Sequence, residues 1–166
     1  MGRRITGEIE WTAHAERPST FGTPRARGAK LKGLQYERAV SRALGAGWLH
    51  GQWFKFCDEG GIGYCQPDFL RVTPTVVLVM ECKLTDVMEA KAQLLGLYLP
   101  VMRHLFGRPA RGVIVARNLT PESTNVVGTL ENALASSHLP TLHWPWPPKP
   151  AGKRGFIHGM NVGPVP

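Results

Sequence analysis

The run Val76-Val77-Leu78-Val79-Met80 constrains this chain more than any other segment. It is apolar on both faces, rich in β-branched residues and bounded by Pro74, so it reads as a strand in the middle of a sheet with both sides covered. The residues that follow, Glu81-Cys82-Lys83, break the apolar pattern. Side chains alternate along a strand, so Glu81 and Lys83 leave from one face and Cys82 from the packed one. Burying an unpaired carboxylate and an unpaired ammonium is costly, so this pair calls for a purpose.

Tyr64 to Val72 reads as the preceding strand and holds Pro67-Asp68, while Thr75 to Leu84 forms the next. If Pro74 and Thr75 form a two-residue turn, residues whose numbers sum to 149 face each other, and Asp68 lies opposite Glu81. A slip of one residue would send Asp68 to the other face. Two carboxylates held that close repel and raise their pKa unless a cation lies between them. Oxygen ligands from Asp68 and Glu81, with the backbone carbonyl of Cys82, suit Mg²⁺ or Mn²⁺ better than Zn²⁺. Lys83 beside them is placed to position a water and to offset negative charge gathering on a phosphate.

Around these strands, Leu31, Leu34, Val40 and Leu44 recur at helical spacing up to Gly45 and Gly47, which predicts a first helix from Leu31 to about Gly45. Glu37 falls on its apolar face, where it can join as a further acidic ligand. Gln52 to Phe56 reads as a strand and Asp58 to Gly63 as a turn or flexible loop. Thr85 or Asp86 caps a helix carrying Val87, Ala90, Leu94, Leu97 and Val101, which Pro100 kinks or interrupts. Arg111 to Ala116 is strand-like, Thr120-Pro121 opens a third helix to about Ser136, and Leu139 to Trp144 is a last strand.

The 166 residues fit one domain, organised as a basic arm (1–30), a body (31–144) and a Pro/Gly-rich tail (145–166). The arm reads as loosely ordered, with a brief strand over Glu8 to Thr12. Cys57, Cys65 and Cys82 form no CxxC pair, which speaks against a disulfide framework or a zinc ribbon. No apolar stretch is long enough for a bilayer and no secretory signal is visible, so a cytoplasmic protein is expected. A net charge of +8 and a pI near 9.9 favour a polyanionic partner, nucleic acid first. Trp48 and Trp53 are expected in packing, and Trp144 with Trp146 in a strip docked on the domain or another subunit.

Taken in order, Glu37, Pro67-Asp68 and Glu81-Cys82-Lys83 resemble the PD-(D/E)xK nuclease superfamily over about Leu31 to Ala116. The resemblance implies an α/β fold of the restriction-endonuclease type, with a central mixed sheet of four or five strands flanked by helices. It implies an active site of Glu37, Asp68, Glu81 and Lys83. RecB-like members add a glutamine and a tyrosine four residues apart on the following helix. Gln93 matches the glutamine, whereas Tyr98 lies five residues on, which rotates it off that face of an α-helix. The function implied is Mg²⁺-dependent hydrolysis of DNA phosphodiester bonds, with Mn²⁺ able to substitute and a homodimer suiting branched DNA or a phage-type endonuclease. The alternatives are a RecB-like exonuclease and a noncatalytic DNA-binding module on a nuclease fold. No helix-turn-helix or zinc-finger pattern accompanies the site.

Overall fold

The computed structural model describes residues 2–18 and 26–145. The chain runs β1 (Trp11–His14), α1 (Gly28–Leu44), β2 (Leu49–His50), β3 (Phe54–Asp58), β4 (Gly61–Cys65), β5 (Phe69–Val72) and β6 (Val77–Lys83). It continues with α2 (Val87–Gln93), a π-helical turn (Leu94–Tyr98), α3 (Leu99–Phe106), β7 (Ala110–Ala116), β8 (Val126–Val127), α4 (Leu130–Ala135) and β9 (Thr141–His143). The fold is α/β, with a mixed sheet flanked by helices.

Among the described residues the main sheet has six strands in the order β2-β5-β6-β7-β9-β8, more than the four or five expected. The excess comes from the two-residue edge strands β2 and β8, too short to leave a periodic signal. β2, β5 and β6 are antiparallel, and β6, β7, β9 and β8 are parallel. The apolar run is indeed central: Val77 through Met80 are at most 2% exposed. Val77 and Val79 pack beneath α2, the π turn and α3, while Leu78 and Met80 pack on the side of Tyr36 and Val40 from α1 and Leu130 from α4. Among the described residues, no helix is long and apolar enough to cross a membrane.

Several expected elements fall elsewhere. The strand expected over Tyr64 to Val72 divides at Gln66-Pro67-Asp68, because proline has no N–H for a ladder. Its first part, β4, pairs with β3 and its second, β5, with β6. Asp58 to Gly63 is a tight hairpin: Asp58 ends β3, Gly61 starts β4 at φ 85°, and the Asp58 carboxylate accepts from the Gly60 N–H at 3.0 Å. The first helix buries Tyr36, Ala39, Val40 and Leu44, leaving Leu31 exposed. The third helix shrinks to Leu130–Ala135, capped by Thr129, whose hydroxyl accepts from Asn132 N at 3.2 Å. Ahead of it the β-branched pair Val126–Val127 joins β9 instead.

The arm expected to be loose is tied to the body over its described part. β1 pairs with β3 and β3 with β4, making a separate three-stranded sheet. Ile5 and Ile9 pack against the core under α3. Arg3 forms an ion pair with the buried Asp58, whose other oxygen accepts from Thr6 N at 3.0 Å. Pro100, expected to interrupt the helix, follows the π turn and opens α3. Proline offers no N–H to the carbonyl four residues back, and Ile5 donates to that carbonyl, Gly96 O, at 3.0 Å.

Candidate metal centre

The register puts the two acids in place. Phe69 pairs with Met80 and Leu70 with Val79, so the ladder keeps the sum of 149 from Val72 to Phe69. Thr73 N donates to Val76 O at 3.0 Å, which closes the turn around Pro74-Thr75. One step beyond the last paired rung stands Asp68, opposite Glu81. Its Oδ2 accepts from Cys82 N at 2.6 Å, which fixes the carboxylate against β6. Strand alternation then turns Glu81 and Lys83 toward α2 and the π turn, on the side of Val77 and Val79.

Glu81 is 4% exposed. Its Oε1 meets Lys83 Nζ at 3.1 Å, and the same ammonium reaches Glu89 Oε2 at 3.1 Å. Among the described residues, the buried Glu81 Oε2 has no hydrogen-bond partner, and neither has Gln93 Oε1. Burial pushes the Glu81 carboxyl up to about 7, against the pull of Lys83. Asp68 lies well above the ordinary carboxylate range, first through burial and then through repulsion from Glu81 and Glu37. For Lys83, burial works against the charge, but Glu81 and Glu89 outweigh it and hold the ammonium above its ordinary value. Two strained acids beside a firmly charged lysine leave a site short of positive charge.

Glu37 approaches from α1, whose buried residues pack on the other face of the sheet, and its carboxylate is engaged by His50 Nε2 at 2.5 Å. His50 in turn stacks on Phe69, ring centroids 4.9 Å apart. Glu37 is close enough to raise the pKa of both Asp68 and Glu81, yet it does not join them as a third convergent ligand. Among the described residues, no three His, Cys, Asp or Glu side chains gather into a ready-made cage. Cys82 points to the opposite face as expected and packs against the core there, and burial with Asp68 and Glu81 nearby pushes its thiol well up.

Tyr98 corrects the sequence reading. The intervening turn is π-helical, with Leu99 N donating to Leu94 O. An i→i+5 turn absorbs one extra residue, so Gln93 and Tyr98 stand in nearly the angular relation of residues four apart in an α-helix. Tyr98 is 6% exposed, and its hydroxyl is held protonated by burial first and then by the negative charges of Glu81 and Asp68. Reading the sequence alone misplaced one side chain of this cluster and passed over two. Tyr98 was misplaced by assuming a regular helix, and Pro100 was the available signal that the helix was not regular. Glu89 is the second partner of Lys83 and sits at a helical position with no distinguishing pattern. His50 lies on a two-residue strand and left no signal.

Trp48 is buried, with the Arg71 guanidinium 6.0 Å from its ring centroid. Trp144 is buried against Tyr36, whose hydroxyl donates to Trp144 O at 2.8 Å, so it docks on its own domain. Trp146 and the tail lie outside the described residues. Comparison with family models, with curated proteins and with solved structures returned no match.

Proposed function

We propose that the chain is a metal-dependent nuclease of the PD-(D/E)xK type, with a restriction-endonuclease-like fold, that hydrolyses phosphodiester bonds in DNA. The observation that carries this reading is the position of Asp68 opposite Glu81, one step beyond the β5–β6 ladder, with Lys83 Nζ 3.1 Å from Glu81 and a buried Glu81 oxygen lacking a partner among the described residues. Raised carboxyls and an orphaned oxygen suit a hard divalent cation. Asp68, Glu81 and the Cys82 carbonyl would hold Mg²⁺ or Mn²⁺, with Glu37 reaching it after release from His50 or through water. A bound cation of this kind supplies Lewis-acid polarisation of a phosphate oxygen and favours the ionised form of an attacking water.

The chain's own residues do the rest. Lys83, held charged by Glu81 and Glu89, offsets the negative charge that grows on the phosphate. Asp68, fixed by Cys82 N, keeps its second oxygen available. Gln93 and the protonated Tyr98 hydroxyl offer neutral hydrogen-bonding groups beside the acids. Their alignment favours a second reading, a RecB-like exonuclease. Supercoiled, linear, single-stranded and four-way-junction DNA, each with and without Mg²⁺ or Mn²⁺, separate the two: a need for ends marks the exonuclease. Asp68→Ala, Glu81→Ala and Lys83→Ala should each abolish cutting while DNA binding persists. Undiminished cutting by all three variants would refute the site, and binding without cutting by the unmodified chain would leave a noncatalytic module.

A further inference from the structure

The outer face of the three-stranded sheet carries a group of side chains that the nuclease chemistry does not use. Alternation buries Phe54, Phe56 and Cys65 beneath β3 and β4 and turns Lys55, Tyr64 and Ile62 outward, beside Trp11 from β1. Lys55 Nζ lies 5.5 Å from the Trp11 ring centroid and 6.0 Å from that of Tyr64. Trp11 is 39% exposed and Ile62 56%, so neither ring nor aliphatic chain is spent on the core. The acidic Glu10, which meets Cys57 Sγ at 3.3 Å, borders the face at the end remote from Tyr64.

We propose that this face is a stacking platform for single-stranded DNA adjoining the cut, with bases on Trp11 and Tyr64 and a phosphate drawn to Lys55. A sheet face offering two rings with a cation between them matches what a strand with unstacked bases presents, π faces alternating with negative charge. A protein of net charge +8 favours that partner electrostatically. A second copy is the poorer occupant, because a self-complementary contact centred here would bring Lys55 against its own symmetry mate. Tyr64 precedes Asp68 by four residues, a span of at most about 14 Å, or about four nucleotides at duplex spacing. The substrate that follows has a single-stranded segment leading to the scissile bond. That last step rests on the nuclease reading, whereas the platform itself does not.

The test is fluorescence anisotropy of labelled oligothymidylate and of a duplex of equal length, with the full chain in EDTA so that cleavage plays no part. Oligothymidylate should bind more tightly than the duplex. Trp11→Ala and Tyr64→Ala should each weaken it roughly 5- to 150-fold, the range for one lost base–aromatic stack, and Trp11→Phe should restore most of the loss. Lys55→Gln should reduce the slope of log K against log salt by about 0.7. Unchanged affinity in Trp11→Ala and Tyr64→Ala proteins that melt as the wild type does overturns the proposal, and so does a wild type that prefers the duplex. Conversion of a dimer to a monomer by Trp11→Ala, with oligonucleotide binding intact, would assign the face to contacts between copies and overturn it equally. Ring-dependent binding without any metal-dependent cutting would retain the platform and discard the nuclease. Cutting that needs Asp68 and Glu81 but has no dependence on the rings would do the reverse.

Discussion

Glu81→Gln removes one proton equilibrium from the interior while leaving the side-chain volume almost unchanged. The Glu81 carboxyl, ordinarily near 4.5, is pushed up to about 7 in the fold, chiefly by burial. A carboxyl raised in this way binds its proton more tightly folded than unfolded. Its stabilising contribution is therefore complete below about pH 4.5 and is lost as pH rises through about 7. At about 1.4 kcal/mol per tenfold change in proton affinity, that interval amounts to roughly 3 kcal/mol. The side chain is 5% exposed, so solvent screening removes little of it. Glu89 still holds Lys83 in the variant, so no ammonium is stranded. Asp68 loses the repulsion of the Glu81 carboxylate in the variant, so its own carboxyl is less raised there, which widens the gap between the two proteins in the same direction.

The assay is urea unfolding of both proteins in EDTA between pH 5 and pH 8. With a urea slope of about 1.5 kcal/mol per molar, the wild-type midpoint should fall by about 2 M more than that of Glu81→Gln across this range. Saturating Mg²⁺ at pH 8 should recover most of that loss in the wild type and much less in the variant, since only the ionised pair gains from the cation. Parallel midpoints for the two proteins across the whole range would refute the reasoning, because Glu81 would then be a carboxylate that burial does not burden.

Arg3→Ala should destabilise the fold by about 2 kcal/mol in the same unfolding assay, below the cost of breaking a wholly buried pair because Arg3 is 31% exposed; a change under about 0.5 kcal/mol would mean the arm is not anchored there. Gly63→Ala should lower stability by roughly 1–3 kcal/mol, since its Cβ would collide with the Phe56 ring, which is fully buried and has no room to retreat; an unchanged melting temperature would show that β3 and β4 can part freely. His50→Ala frees the Glu37 carboxylate to reach the cation, so DNA cutting should persist and require no more Mg²⁺ than in the wild type. Loss as complete as in Glu81→Ala would make His50 part of the machinery.

The placement of Asp68, Glu81 and Lys83 was legible because strand geometry is nearly digital. Period-two alternation fixes the face, and a turn around Pro74-Thr75 fixes the register. Helix α2 was legible through Asp86, whose carboxylate accepts from Glu89 N at 2.9 Å. What stayed hidden depended on partners far along the chain. The turn after Asp58 is local, but the Arg3 and Thr6 that hold its carboxylate come from more than fifty residues away, and no local propensity records that. β8 exists because β9 offers an edge to two valines. The Glu37–His50 contact joins a helix to a two-residue strand, below the length at which any pattern can be read.

Ile5 gives the chain an unusual economy. Where proline withholds a hydrogen from the helix, a residue near the start of the sequence supplies one, so the helix bearing Gln93 and Tyr98 is completed by a donor about ninety positions upstream. Trimming those first few residues would expose a carbonyl beside the π turn and loosen the spacing that brings glutamine and tyrosine into line. Loss of one donor early in this sequence would then disturb the alignment of Gln93 with Tyr98.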